Sequence, residues 1–391
     1  MSPRTRLAVA VVSTALIGYI AVGSLLGHVL GDTSYGQLAI FNEVVRLVLD
    51  AYVEPVNLDR AMAGARQGMA DALDGDSAYL DADEFRAYQQ PPKEGEGDVG
   101  LVLTRRFSFV MVVSPRPGSP AARAGLRAGD LVKSIDEKHT RQMPAVVAER
   151  LLRGAPGSSV KLGILRFGAD SFDVTVTRER LLATAPQSRM LDGFVGYVRI
   201  SEFGPATAEE ARTKVEALKK GGARQLVLDL RDAGYGAPAD GVKVAELFLK
   251  GGTVAKLVGR RKDEQLLQAD PGRSAWTGTT VVLTNNGTAG PAEIVAAALV
   301  DGEGARLVGE RTFGRATIAH TVPLPDGGLL LTTAKYVSPK GTAIHGEGLK
   351  PTVAVDATPD EDDDLPANTP KADHILDKAL ELLRGKDGKP A

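Results

Sequence analysis

Strands and helices alternate along the chain after residue 181, and this alternation restricts the fold more than any other feature. Residues 226–230 read as a buried strand that is apolar except for Asp229, and residues 279–284 form a second buried strand pattern. Residues 206–220, before the first of these strands, and residues 291–299, after the second, have the length and periodicity of helices. The pattern predicts an α/β core in which helices pack on a largely parallel sheet.

The chain ahead of this core has a different pattern. Short β-type runs dominate residues 99–180, and a linker rich in Pro, Gly and Glu at 89–97 precedes them. We therefore expect a multi-domain α/β protein with five regions. These are an N-terminal membrane anchor or signal (1–31), a helical segment (32–94), a β-rich domain (95–180), the α/β core (181–358), and an acidic linker with a C-terminal helix (359–391).

Residues 7–30 form an almost uncharged apolar stretch that follows Arg4 and Arg6. A helix needs about 20 apolar residues to cross a membrane, and the basic flank favours an N-terminus on the cytoplasmic side. We therefore expect one transmembrane helix that anchors the chain in the inner membrane, with the bulk of the chain extracytoplasmic, in the periplasm. The alternative is a cleaved signal peptide, but the run is long for one and residues 27–30 lack a small-x-small cleavage site.

Composition excludes several classes of protein. A net charge of −2 gives no basic surface for nucleic acid, so no nucleic-acid partner is expected. With no cysteine, the chain has neither a thiol nucleophile nor a Cys-ligated zinc. The 5 histidines are scattered, without the close helical spacing of a metalloprotease motif. We expect no metal and no cofactor.

Residues 114–130 read S-P-R-P-G-S-P-A-A-R-A-G-L-R-A-G-D and resemble the core of PDZ domains. Ser119 can cap a short helix, and Pro120 suits its first turn, where no N–H is needed. The resemblance places a carboxylate-binding loop at Asp98, Val99, Gly100 and Leu101. It implies that N–H groups of this loop hold the C-terminal carboxylate of a peptide, which adds as a strand to the sheet edge. The alternative is a PDZ fold used only for packing.

Six further stretches, in matching order over roughly residues 36–355, resemble the C-terminal processing (tail-specific) serine peptidases. They lie at residues 52–56, 68–80, 196–203, 228–231, 307–314 and 331–351. The resemblance implies a PDZ domain inserted ahead of an α/β peptidase core. It also implies that substrates are recognised by their C-terminal tails.

Members of this family cleave peptides with a serine nucleophile in G-[ST]-A-S-A-x-E-I and a lysine base in F-G-K-G, with a glutamine four residues later. In this chain Gly290 stands at the serine position, Arg315 at the lysine position and Ala319 at the glutamine position. Glycine has no hydroxyl, and a guanidinium cannot take up a proton at neutral pH. Pro291, directly after the nucleophile position, has no N–H to offer an oxyanion hole.

The turn after the L-D-L-R strand also departs from the family. It reads D-A-G-Y-G instead of N-N-P-G-G, which adds Tyr235 near the expected oxyanion region. Loss of one member of a serine-protease triad costs about 10⁶ in kcat, and further losses add little. We therefore expect an inactive member, with no catalytic residue intact.

Three hypotheses of function follow. The first is a pseudopeptidase that binds C-terminal tails of extracytoplasmic proteins through its PDZ domain. It would act as a scaffold or as a regulator of proteolysis, with an active paralogous peptidase as a second partner. The alternative is an active serine-type or Thr-based endopeptidase with a relocated site, for which Thr288 with His320 or His345 is a conceivable pair. The third is an inert structural domain.

Overall fold

The computed structural model describes residues 32–260, 262–355 and 373–384. The chain divides into two compact units on either side of the Ala65–Arg66 bond. The first unit holds α1 (Asp32–Ala51) and the first half of α2 (Leu58–Asp71). Apolar side chains from both helices, Phe41, Val45 and Met62 among them, line a cavity of about 180 Å³. This is the helical segment that the sequence predicts.

The expectation of a membrane anchor needs correction. Within the described ranges, no helix is both long enough and apolar enough to cross a membrane. The longest, α1, has 20 residues but carries Glu43, Arg46 and Asp50 along its length, and charges of this kind are costly in hydrocarbon. The anchor was expected at residues 7–30, which lie outside the described residues. The transmembrane helix and the periplasmic location inferred from it are therefore withdrawn.

After the second half of α2, the second unit continues with β1 (Ala78–Asp81) and α3 (Ala82–Gln89), followed by an antiparallel sheet. The sheet comprises β2 (Leu101–Arg106), β3 (Phe109–Pro115), β4 (Leu131–Ile135), β5 (Lys138–His139), β6 (Ser159–Leu165) and β7 (Phe172–Thr177), in the order β2-β3-β4-β6-β7 with β5 on β4. Two helices, α4 (Pro120–Arg123) and α5 (Ala145–Leu152), pack on it. Ser119 caps α4, because its Oγ accepts the N–H of Ala122 at 3.2 Å. This PDZ sheet has β2 as an edge strand.

The α/β core contains a six-stranded sheet in the order β19-β16-β15-β11-β9-β8. Its strands are β8 (Gln187–Leu191), β9 (Val195–Arg199), β11 (Gln225–Asp229), β15 (Thr279–Thr284), β16 (Arg306–Gly309) and β19 (Val353–Ala354). All neighbours pair in parallel except β8 with β9. The predicted parallel sheet is confirmed.

Both faces of this sheet are covered, which explains why its central strands are mainly apolar. On one face Leu226 and Leu228 pack in a large core with α6 (Thr207–Lys220), α7 (Pro238–Glu246) and α8 (Pro291–Glu303). On the other face Val227 packs with residues of α9 (His374–Arg384). Arg231 fixes α9 by a bidentate ion pair with Asp373, at 2.8 and 2.9 Å. The predicted acidic run, residues 360–364, lies outside the described residues.

The core also carries an antiparallel sheet that the sequence did not predict. It comprises β1, β13 (Thr253–Gly259), β14 (Lys262–Gln268), β17 (Thr317–Leu324) and β18 (Gly327–Val337), in the order β1-β18-β13-β14 with β17 on β18. A two-residue pair, β10 (Glu202–Phe203) and β12 (Tyr235–Gly236), completes the fold. The second sheet brings β1, and the turn before it, next to the residues that follow Arg315.

Candidate functional site

Two loops meet at the N-terminus of α8. The first, residues 285–290, leads into the helix and ends at Gly290, and the second, residues 312–316, contains Arg315. The N–H of Phe313 donates to the carbonyl of Thr288 at 2.9 Å, so a backbone hydrogen bond joins the two loops. The structure therefore brings together Gly290 and Arg315, the residues that the sequence motifs predict at the nucleophile and base positions.

Glu293, on the first turn of α8, aligns the two loops. Its Oε2 accepts the N–H groups of Gly290 and Arg315 at 3.0 and 2.8 Å. Its Oε1 accepts the N–H of Gly314 at 2.8 Å and the hydroxyl of Thr312. Glu293 is fully buried, and this burial raises its pKa to about 7, although the four donors favour the ionised form. Sequence reasoning gave Glu293 no role. The available signal was a single acidic residue in an otherwise apolar helical run.

Gly290 adopts φ +58° and ψ −117° as the residue before α8. The nearest atom to a Cβ placed there would be the carbonyl oxygen of Arg315, at 3.7 Å, so there is room for a small side chain. Pro291 begins the helix, and the next N–H, of Ala292, donates to the carbonyl of Ala289 at 3.2 Å. The position thus has the space for a nucleophile but neither the hydroxyl nor a backbone donor at the following residue.

Arg315 is paired with an acid. Its Nε lies 3.0 Å from Oδ1 of Asp76, whose side chain is 7% exposed and also accepts the hydroxyl of Thr317 at 2.6 Å. A cavity of about 190 Å³ opens beside the pair, lined by Asp74, Arg105, Arg106 and His345 among others. The charge that replaces the lysine is therefore part of an ion pair and not a free base.

The residues proposed for a relocated site are not assembled as a pair. Thr288 is fully buried, and its hydroxyl donates to the carbonyl of Leu230 at 2.8 Å. His320 is exposed on β17, with Nδ1 2.6 Å from Oγ1 of Thr333. His345 lines the cavity beside Arg315, and burial lowers its pKa, so the ring is neutral near pH 7. Neither histidine hydrogen-bonds to Thr288.

Ala319 and Tyr235 lie at the borders of the site. Ala319 is exposed on β17 opposite Thr332 of β18. Tyr235, in β12, is 46% exposed, and the guanidinium of Arg116 lies 4.3 Å from the centroid of its ring. Arg116 also forms a bidentate ion pair with the buried Glu202, at 2.8 and 2.9 Å. It therefore joins the PDZ sheet to the core beside the expected oxyanion turn.

The predicted carboxylate-binding loop leads into β2. The N–H of Asp98 donates to the carbonyl of Glu179 at 2.9 Å, and the N–H of Gly100 donates to Oδ1 of Asp98 at 2.8 Å. Val99 is fully buried, and Leu101 begins the strand. Two of the N–H groups expected to receive a peptide carboxylate are thus already bonded within the chain, and binding at this loop stays a prediction.

The PDZ sheet lies over the two loops. Val102 of β2 and Val113 of β3 form an apolar cluster with Ala289 of the first loop, and Phe313 of the second packs against it. In the described part of the chain, no group of acidic or histidine side chains is placed to hold a metal ion. The site is therefore built from backbone, one buried carboxylate and an arginine ion pair.

A PDZ sheet packed on two loops of a parallel α/β core defines the class of PDZ-bearing serine peptidase homologues. Residues 194–355 match the sequence model of peptidase family S41, and residues 111–166 match that of a PDZ domain. The carboxy-terminal processing protease CtpA of Bacillus subtilis is 31% identical over 348 residues, which cover 88% of this chain and 74% of that protein.

Two further comparisons agree. A carboxy-terminal-processing protease of Bartonella bacilliformis is 31% identical over 83% of this chain and 76% of that protein. The solved structure of a photosystem II D1 C-terminal processing protease has a TM-score of 0.70 and 29% identity, covering 80% of this chain and 86% of that one. The chain belongs to the C-terminal processing protease family, as its sequence motifs predicted.

Proposed function

We propose that this chain is a pseudopeptidase that binds protein C-termini through its PDZ sheet and acts as a scaffold or regulator of proteolysis. The observation that carries the proposal is the ion pair of Arg315 with Asp76, combined with a glycine at the nucleophile position. A permanently charged guanidinium cannot activate a hydroxyl, and Gly290 offers none to activate.

The hydroxyl groups near the loops support the same conclusion. The hydroxyl of Thr288 donates to Leu230, and that of Thr312 donates to Glu293 and accepts the N–H of Leu349 at 2.7 Å. Both threonines are buried. A nucleophile must reach a substrate carbonyl with a base beside it, and neither hydroxyl meets this requirement.

The intact parts of the molecule favour a binding function. The PDZ sheet, its capped helix and its edge strand are present, and such an edge can accept a peptide as an added strand. The relatives are carboxy-terminal processing proteases by name, so the proposed ligands are C-terminal segments of proteins. An active member of the same family is the proposed second partner.

Two measurements test the proposal. The purified protein should not hydrolyse unstructured peptides with apolar C-termini, and the Thr288→Ala variant should behave identically. Calorimetry should detect weak binding of such a peptide with a free carboxylate and a loss of binding when its C-terminus is amidated, because amidation removes the charge that the loop residues Asp98–Leu101 would receive. Turnover that Thr288→Ala abolishes would favour a relocated catalytic site. Equal affinities for the free and amidated peptides would show that tail recognition has been lost.

A further inference from the structure

The outer edge of β2 is already hydrogen-bonded by other parts of the chain. β2 pairs with β3 on one side only, so its other edge is where a peptide would add. The N–H of Arg105 donates to the carbonyl of Gly75 at 3.3 Å, and that of Leu103 donates to Oε1 of Glu149 at 3.4 Å. Residues two apart in a strand present their N–H groups to the same edge. Two of the donors on this edge, the N–H groups of Leu103 and Arg105, are therefore already in use.

The segment on the edge is the turn Asp74–Ser77, here called the capping turn. Oδ1 of Asp74 accepts the N–H groups of Asp76 and Ser77 at 2.9 and 2.6 Å, which fixes the shape of the turn. Gly75 approaches β2 so closely that a Cβ would lie 2.2 Å from the carbonyl oxygen of Arg105 and 2.9 Å from Oγ1 of Thr104. Contact of this kind requires glycine, because any side chain would overlap backbone.

Core residues hold the capping turn in place. Arg315 and Thr317 bind the carboxylate of Asp76 at 3.0 and 2.6 Å. The hydroxyl oxygen of Ser77 accepts the N–H of Thr332 at 3.1 Å. The residue at the former base position thus holds an acid of the turn that blocks the PDZ edge.

We propose that the capping turn is an intramolecular occupant of the peptide-binding edge and that Arg315 keeps it there. The identity of the ligand in this inference rests on the proposed function. The inference that the capping turn closes the edge does not. A peptide that adds to β2 must take the N–H groups of Leu103 and Arg105, so the turn and Glu149 must first release them. The observed dissociation constant is then the intrinsic one divided by the fraction of molecules with an open edge.

Charge explains why an arginine suits this role. Glu149 lies on α5, next to β2, and burial raises its pKa while the charge of Arg315 opposes that shift. Arg315 therefore acts on Asp76 of the turn and on Glu149 of α5. Loss of its charge would weaken the hold on Asp76 and would raise the pKa of Glu149 further, and a protonated carboxyl is the weaker acceptor for the N–H of Leu103.

Gly75→Ala and Arg315→Gln test the inference, with Gly68→Ala as the matched control. Gly68 lies on α2 with nothing within 4 Å of an added Cβ, so its substitution should be silent. Hydrogen exchange of the full chain, followed by mass spectrometry, reports how often the edge of β2 opens and needs no ligand. We expect residues 101–106 to exchange about tenfold faster in both test variants, with unchanged far-ultraviolet circular dichroism.

Calorimetry with the apolar-ended peptide then separates the two proposals. An open edge should lower the dissociation constant by about the same factor as the gain in exchange. Unchanged exchange rates of residues 101–106 in both test variants would overturn the inference that the capping turn closes the edge. Faster exchange in the test variants, without peptide binding by any variant, would support the inference that the capping turn closes the edge. The same result would overturn the proposed binding of C-terminal tails. If Gly75→Ala does not fold, Arg315→Gln decides alone, because it adds no atom to the contact.

Discussion

Restoring the family residues should recover little peptidase activity unless Pro291 is also replaced. The starting variant combines Gly290→Ser with Arg315→Lys. A Cβ at residue 290 meets no atom closer than 3.7 Å, so the serine fits. Its φ of +58° lies in the left-handed region, and we expect a loss of about 1–3 kcal/mol in unfolding free energy from this strain.

The oxyanion donor limits the double variant. The N–H groups around the nucleophile are all bonded, that of Ala289 to Ala233, that of Gly290 to Glu293 and that of Ala292 to Ala289. None can replace the donor that Pro291 lacks. A missing oxyanion donor costs about 10²–10³ in kcat, so adding Pro291→Ala should raise kcat by that factor.

A fluorogenic peptide with an apolar C-terminus gives the rates, and a fluorophosphonate probe counts the reactive serines. The matched control carries Ala instead of Ser at 290 in the triple variant and should neither cleave nor label. A double variant as fast as the triple would refute the argument from Pro291.

Two other predictions concern stability. Because burial raises the pKa of Glu293 from 4.5 to about 7, the folded state binds this proton more tightly than the unfolded state. The unfolding free energy should therefore fall by about 3 kcal/mol as pH rises from 4.5 to above 7. Urea denaturation across this range should show a flatter profile for Glu293→Gln, and parallel profiles would contradict the assignment. Arg116→Leu leaves the buried Glu202 without its charged partner, with only the N–H and hydroxyl of Thr184 still bonded to it, and should cost about 3 kcal/mol. The matched Arg123→Leu removes an ion pair that is about half exposed and should cost below about 1 kcal/mol by the same assay, so equal losses would show that Arg116 does not secure the PDZ sheet.

The parts of the fold that were predicted are those with a local signal. Strands β11 and β15 are largely buried and rich in apolar residues, and α4 carries its cap and its proline in consecutive residues. The strand β17 was missed because most of its residues are exposed, without an apolar alternation that marks a buried face. Strands of this kind are fixed by pairing with a neighbour rather than by their own composition.

The candidate site divides in the same way. Gly290, Pro291 and Arg315 could be identified from motifs, because each motif is continuous in sequence. The partner of Arg315 could not, because Asp76 lies far away in the chain and reaches the site only through the antiparallel sheet that contains β1. Long-range ion pairs leave no periodicity in a sequence, and their prediction needs the fold.

The position of α9 has a consequence for how the protein is made. The helix covers Val227, Leu283 and Val308 on one face of the parallel sheet, yet its residues are synthesised after every strand of that sheet. Until Leu383 has left the ribosome, the nascent core therefore presents a bare apolar face, a state prone to aggregation and to capture by chaperones. During synthesis this face of the core therefore stays uncovered until α9 has emerged, after the PDZ sheet and all the strands have been synthesised.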